Sequence, residues 1–496
     1  MSSGIRITGM NSGLDTESII TALVDAKSQK VEKAVLEQKL LSWKQDAWKD
    51  LNTKVNSFFN GTLSKMKYSD VYLQTKTTSS NEAVATAITG ASAIKGTQKM
   101  YVDQLAQTGF LTGSKMAQTY SGSTKLSEME DSFGTLATGT LSLTKDSVTE
   151  EITLDADATI DDLLSKLKEY GLNANFDEKN QRFFISASAM GQANDFDITS
   201  TGNMLQALGL DTTSADATKI EAKDASIRLN GVTFTSVTNT FEINGLTITA
   251  NAVSTEEISL NTSDDTEGIY DLIKEFVAGY NELIVEMDTL SNADSAADYD
   301  MLSDDAREEM SETEIEEWDG KIKDALLRND STLDTFATIM KEVMLNPVEI
   351  DGENVYLSDF GINTLSYFEA EDNEKSKLHI DGNEDDDTTS GNTDVLSGII
   401  SSNPEKLTEF FTQLTRSLYT SMSNAMSRTS LSSMFTVYND IKMKEDYVDY
   451  TTLIADYEEE LEDYEDRYYA KFSAMEVALA KMESNSSAIT SLLGSA

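Results

Sequence analysis

Between Asp15 and Met66 the sequence contains no proline and a single glycine, Gly61, and it is rich in Ala, Leu, Lys, Gln and Glu. Nothing in that stretch interrupts a helix except Gly61, so a helix or broken helix of about 80 Å is expected. Steps of three and four residues pick out Val31, Ala34, Gln38, Leu41, Gln45, Trp48, Asn52, Val55, Phe59, Thr62 and Met66. This is an apolar seam with an amide at every seventh position, and buried amides of that kind fix register. A second row, Leu36, Leu40, Trp43, Ala47, Leu51 and Phe58, widens the face beyond a two-stranded seam and points to bundle packing.

The other end carries the same signal. Ile454, Tyr457, Leu461, Tyr464 and Tyr468 keep 3-4 spacing, and Phe472, Met475, Leu479, Met482, Ser486, Ile489 and Leu493 continue it after a stutter between Tyr468 and Phe472. Three tyrosines in a seam need hydroxyl partners and favour a bundle of unlike helices over a tight homodimer. Two helical ends flanking a different interior can run antiparallel and form one stalk. The same spacing serves a core within the chain and an interface between copies, and periodicity alone leaves both open.

From about residue 81 the pattern becomes short alternating runs of Thr, Val, Ile and Phe separated by Gly and Asn. Asn230-Gly231 and Asn244-Gly245 sit between such runs and predict two hairpins, 227–229 with 232–234 and 241–243 with 246–248. One amphipathic helix lies between strands at 138–154 and 172–188, opened by Thr159-Ile160-Asp161-Asp162 and closed by Gly171. Helical spacing returns near residue 264 with Ile269, Ile273, Phe276, Tyr280, Leu283, Met287 and Leu290. An acidic stretch from Asp304 to Asp319 follows, and then Leu326, Leu327, Leu333, Phe336 and Met340. Pro404, after Ser402-Asn403, is placed to start a helix.

At 496 residues, with 39% hydrophobic residues, there is material for roughly three domains. The 39 Lys and Arg against 86 Asp and Glu give a net charge of −47, which disfavours nucleic acid and anionic lipid as partners. The absence of cysteine excludes disulfides, thiolate nucleophiles and cysteine-ligated zinc. The first ten residues lack the parts of a secretory signal, and no apolar run approaches the roughly 20 residues of a spanning helix, so no membrane insertion is expected.

Candidate chemistry is sparse. The single histidine, His379, lies in the alternating run Lys377-Leu378-His379-Ile380, with no second histidine for a metal pair. A Ser-His-Asp hydrolase built on it is the competing reading from another functional class. The acidic run 381–387 has oxygens at alternate positions, but Asp386 stands where a calcium loop needs glycine and Asn392 where it needs glutamate, so a solvated loop is the better reading. The carboxylates at 458–460 and 462–466 lie between seam positions and read as an exposed helix face. No phosphate-binding glycine fingerprint is present, and no cofactor, catalytic residue or metal site is expected.

The N-terminal run Ile7-Thr8-Gly9-Met10-Asn11-Ser12-Gly13-Leu14-Asp15, followed by Ser18-Ile19-Ile20, resembles the start of the flagellar filament cap family, also called hook-associated protein 2. The run Tyr464-Glu465-Asp466-Arg467-Tyr468-Tyr469-Ala470-Lys471-Phe472-Ser473-Ala474-Met475, with Met482-Glu483-Ser484-Asn485-Ser486, is similar to that family's closing helix. Interior resemblance is carried by Val102-Asp103-Gln104-Leu105-Ala106, by the segment from Asn239 to Thr247, by Phe276-Val277-Ala278-Gly279-Tyr280-Asn281 and by Leu357-Ser358-Asp359-Phe360-Gly361-Ile362.

The resemblance implies a multidomain α+β protein: a terminal coiled-coil stalk, a helical-bundle leg domain and two inserted β-rich head domains. With the period changes it gives a stalk at 1–42 and 452–496 and a leg at 43–80 and 263–451. A first head domain falls at 81–133 and 222–262, with a second, α+β head domain at 134–221 inserted in it. It also implies a non-enzymatic cap, a homo-oligomeric ring at the extracellular flagellum tip that guides exported flagellin into the filament. Flagellin, other hook-associated proteins and a flagellar export chaperone are the implied partners, and export through the flagellar type III apparatus needs no cleaved signal peptide. Another axial component, a hook-filament junction protein or a flagellin, is the nearest alternative. The expected assembly residues are Leu14, Val31, Ala34, Leu41, Trp48 and Val55 at one end. At the other they are Ile454, Tyr457, Leu461, Tyr464, Tyr468, Phe472, Met475, Leu479, Met482, Ile489 and Leu493. The acidic segment from Tyr299 to Asp319 and the tract 384–387 depart from a generic member of that family.

Overall fold

The computed structural model describes residues 15–214 and 216–493, with the side chains of 491–493 excluded. The chain divides into two compact units: one runs through Tyr72 and resumes at Thr266, and the other is Leu73–Asp265.

The first unit is helical. Its opening helix, Thr16–Asn60, is capped by Asp15, whose carboxylate accepts from the Ser18 backbone N–H at 3.0 Å. Gly61 breaks it, and a short helix, Thr62–Met66, follows. The closing helix, Asp440–Leu493, has 54 residues and is about 80 Å long. Between them, Thr266–Ser291, Ser331–Leu345 and Pro404–Ala425 surround a core that also takes in Trp48, Val55, Phe58, Phe59, Leu63 and Met66. Asn403 caps the helix that Pro404 opens. Stacked rings tie the long helix into this core: Phe59 on Tyr419 with centroids 4.3 Å apart, and Trp48 on Tyr438 at 5.4 Å.

The acidic segment is folded. Ser303 caps the helix Asp304–Glu308, and Ser311 with Glu314 forms a capping box for Glu312–Asp324. Arg307 reaches Asp319 at 2.7 Å, both largely buried, and Trp318 donates to the carbonyl of Asp300 while packing edge-on against Tyr299. Lys323 of this segment lies 4.6 Å above the ring of Trp43, so part of the second apolar row of the opening helix is covered from here.

The second unit holds two β-rich cores. A five-stranded antiparallel sheet has the order Thr75–Ser79, Ile258–Asp264, Gly96–Gln104, Ala225–Leu229, Val232–Ser236. A three-stranded sheet, Thr240–Ile243, Leu246–Ala250 and Ala85–Thr89, shares its core of Met100, Val102, Ile227, Phe241, Ile248 and Leu260. Both Asn-Gly hairpins form as expected. Asn230 and Gly231 have φ of 50° and 82°, Asn244 and Gly245 have φ of 52° and 77°, and the registers are Leu229↔Val232 and Ile243↔Leu246. These left-handed pairs match the twist of the flanking strands.

The other core is built on the segment from Phe110 to Ile220, with a four-stranded and a three-stranded sheet around the helix Ile160–Glu169. Thr159 and Asp162 form the expected capping box, and Gly171, φ 78°, closes the helix. Sheet structure begins before the pattern change at residue 81: Thr75–Ser79 pairs along its full length with Ile258–Asp264. Among the described residues, no helix is long and apolar enough to cross a membrane.

Candidate functional site

The two terminal helices run antiparallel. Glu17 accepts from the Tyr469 hydroxyl at 3.4 Å, Lys27 and Lys30 lie 5.4 and 5.9 Å from the ring centres of Tyr464 and Tyr457, and Gln38 reaches Thr451 at 2.7 Å. Each position on one helix thus meets a partner that decreases in number along the other, the arrangement the two seams require.

The amides of the first seam supply its polar joints. Gln38 donates to Tyr447 O as well as to Thr451, and Gln45 donates to Met443 O. Asn52 donates to Phe435 O and accepts from the Val437 N–H at 3.0 Å. The tyrosines of the second seam find partners too: Tyr464 donates to the Tyr468 hydroxyl at 3.2 Å, and Tyr457 takes Lys30 on its face.

The seam residues differ in how far they are covered. Trp48 and Val55 are 2% and 0% exposed and pack inside the leg core of this chain. Their row continues past the end of the two-helix stalk into a bundle, where the same spacing buries a residue on its own chain. Ala34 is buried between the stalk helices. Val31, Leu41, Ile454, Tyr457, Leu461, Tyr464, Tyr468, Phe472, Met475 and Leu479 are half-buried, because two helices cover one stripe of each other and leave its flanks open. Met482 and Ile489 are 63% and 57% exposed. Leu14 and the side chain of Leu493 lie outside the described residues.

The flanks combine the seam residue Leu41 with residues outside the seam. Leu40, Leu41, Tyr450 and Leu453 line an open groove between the helices, and Val35 and Val448 are 41% and 55% exposed. Only the second apolar row signalled Leu40, and nothing in the spacing signalled Val35 or Val448.

Among the described residues, no triad forms around His379. It is buried in the strand Leu378–Ile380, where it pairs with Asn363, and its Nδ1 lies 2.7 Å from Asp386 Oδ2. Nε2, the nitrogen that would take a serine proton, is buried without a hydrogen-bond partner. Burial works against the charge on Asp386, but hydrogen bonds from His379 and the Thr388 N–H outweigh it and hold the carboxyl below the usual range. The rest of the acidic loop diverges: Asp385 pairs with Lys274, and Asp381 takes Asn363 and Asn392. No group of three or more His, Cys, Asp or Glu that could hold a metal ion occurs among the described residues.

Comparison with known proteins adds the family. The sequence model of the flagellar hook-associated protein 2 C-terminus matches residues 222–484, and that of its N-terminus matches 12–109. The chain is 27% identical over 395 residues to a flagellar hook-associated protein 2 of Halalkalibacterium halodurans, covering 73% of each chain. It is 26% identical over 399 residues to an A-type flagellar hook-associated protein 2 of Pseudomonas aeruginosa, covering 73% of this chain and 75% of that one. A crystal structure of the D1-D2-D3 domains of the Escherichia coli flagellar cap protein aligns at 18% identity with a TM-score of 0.48, over 81% of this chain and 99% of that one. The C-terminal match alone takes in more than half of the sequence, and the chain belongs to the flagellar hook-associated protein 2 family.

Proposed function

We propose that this chain is a flagellar filament cap, a non-enzymatic scaffold that oligomerises at the distal tip and promotes ordered polymerisation of exported flagellin. The observation that carries the reading is the stalk: the two ends of a family member pair antiparallel, yet leave nearly every seam residue only half covered. Apolar flanks of that kind are stable when further helices cover them. Copies of the chain and the helical ends of flagellin are the partners such flanks suit, with Val31, Leu41 and the Ile454–Leu479 row supplying contacts. Stalk, leg and head domains then divide the work: the stalk and leg meet the filament and the heads retain the incoming subunit.

The reading includes export through the flagellar type III apparatus, with a chaperone covering the terminal helices beforehand and other hook-associated proteins below the filament. Covalent chemistry has no place in it, consistent with a histidine whose free nitrogen is sealed in the leg. Deleting the coding sequence is expected to release unpolymerised flagellin into the medium, with tip-only labelling of the restored protein. Normal filaments in the deletion strain, or labelling along the shaft or at its base, would overturn it.

A further inference from the structure

Sheets protect their edges with charged side chains, proline or a covering element, because a bare edge offers unpaired N–H and C=O groups to any other strand. In the β-rich unit, Glu150 and Glu151 stand on the edge strand Val148–Ile152, Asp197 on Phe196–Ser200, Lys219 on Thr218–Ile220 and Asp177 on Leu172–Asp177. Glu242 stands on Thr240–Ile243 and Lys76 on Thr75–Ser79. The uncharged Ala85–Thr89 lies along Thr75–Ser79, with the Thr89 hydroxyl donating to that of Thr77 at 2.8 Å. Val232–Ser236, which ends the five-stranded sheet, carries no charge, and its Val232, Thr233 and Thr235 are exposed. The sequence has no charged residue from Leu229 through Phe241, although one residue in four of the chain is charged.

The register turns backbone groups out of this edge. The two-residue turn closes on Leu229↔Val232, and Ile227↔Phe234 and Ala225↔Ser236 follow. Hydrogen-bonded pairs alternate along an antiparallel ladder, so Val232, Phe234 and Ser236 bond the neighbouring strand, and the N–H and C=O of Thr233 and Thr235 point outward. Side chains alternate too: Phe234, opposite the fully buried Ile227, packs on the core, and the two threonines stand on the outer face.

We propose that Val232–Ser236 pairs antiparallel with the same strand of a second copy of this chain, across a two-fold axis at Phe234. The strand reads Val-Thr-Phe-Thr-Ser, nearly the same in both directions, and that symmetry selects a second copy as the occupant. Thr233 then faces Thr235 of the second copy and the reverse, each pair exchanging both backbone hydrogen bonds. Phe234 meets its own equivalent in a pair without hydrogen bonds, where side chains come closest and aromatic pairs stabilise. A register centred on either threonine leaves the other opposite Gly231 or Val237, outside the strand. Two copies, each of net charge −47, meet here without opposing carboxylates. A two-fold contact joins copies in pairs and builds no ring by itself, so this association is separate from the cap and goes beyond that reading.

The chain has no cysteine, so introduced thiols report only the designed contact. Full-length Phe234→Cys protein is expected to oxidise to a covalent dimer by itself, because the residue faces its own equivalent. Val232→Cys and Ser236→Cys face each other, so they are expected to crosslink only when mixed, and they test the register with the Phe234 ring in place. Adding Thr233→Glu and Thr235→Glu to both of those chains sets like charges opposite each other and should suppress the crosslink. Thr233→Lys with Thr235→Glu sets opposite charges there and should keep it. Monomer alone from the mixture, equal crosslinking by either variant unmixed, or equal crosslinking by the two charge variants would each overturn the contact.

Discussion

The side-chain amide of Gln45 donates to the backbone carbonyl of Met443 at 2.8 Å, joining residues 398 positions apart. Gln38, one heptad earlier, and Asn52, one heptad later, make equivalent bridges to the same end of the chain. An amide in an apolar seam costs stability unless it finds its partner, so these three residues define one register and penalise every slipped one.

Asn52→Ala should therefore destabilise the helical unit by about 1–3 kcal/mol, because it strands the buried Val437 N–H. The three tryptophans, Trp43, Trp48 and Trp318, all lie in that unit, so fluorescence-monitored denaturation reads it without the β-rich unit. A change below about 0.5 kcal/mol would show that water replaces the amide.

Phe59→Ala should cost about 3–5 kcal/mol by the same measurement. Phe59 is fully buried, and its ring stacks on Tyr419, which in turn carries Lys67 at 3.4 Å from its centre. A small loss would mean that the surrounding helices close the cavity.

Gly245→Ala should destabilise the β-rich unit by about 1–3 kcal/mol. The turn holds φ at 77°, and an added Cβ would sit 2.5 Å from the Ala93 nitrogen, so backbone has to move. Hydrogen exchange of the 241–248 hairpin is the direct readout, and unchanged protection would contradict the prediction. Gly231→Ala, in the same turn type with open space around it, is the milder control.

Acidification should weaken the helical unit through Asp386. Its folded-state carboxyl is held below the unfolded value, so its contribution is complete above the unfolded value and is lost as pH falls through the folded one. The window lies below about pH 4. Asp386→Asn is expected to flatten the stability profile there, and an unchanged slope would exclude this pair as the cause.

What could be read from the sequence was what is local. The Asn-Gly hairpins, the Thr159 capping box, the helix start at Pro404 and the weakness at Gly61 all depend on a few adjacent residues, and the structure has each of them. Thr75–Ser79 falls within the expected leg segment 43–80 because Thr-Lys-Thr-Thr-Ser shows no apolar alternation, and its partner strand lies almost 190 residues away in sequence. The segment from Tyr299 to Asp319 shows in the sequence only as an acidic stretch, because nothing local reveals that Arg307 neutralises Asp319 or that Tyr299 and Trp318 pack together. Trp48 and Val55 obey the same spacing as Leu41, and only the helices around them decide that the first two are core and the last is flank.

The antiparallel pairing of the two ends also fixes an order of events. Gln38 and Thr451 are separated by 413 residues, and the helix bearing Thr451 is the last one among the described residues. The β-hairpins close over two residues and can fold as soon as they emerge, whereas the stalk is the longest loop closure the chain makes. Synthesis or transport in either direction leaves one terminal helix waiting, its apolar stripe open, until nearly the whole chain has arrived. Stalk formation is therefore expected to follow hairpin closure, since its partners stand 413 residues apart.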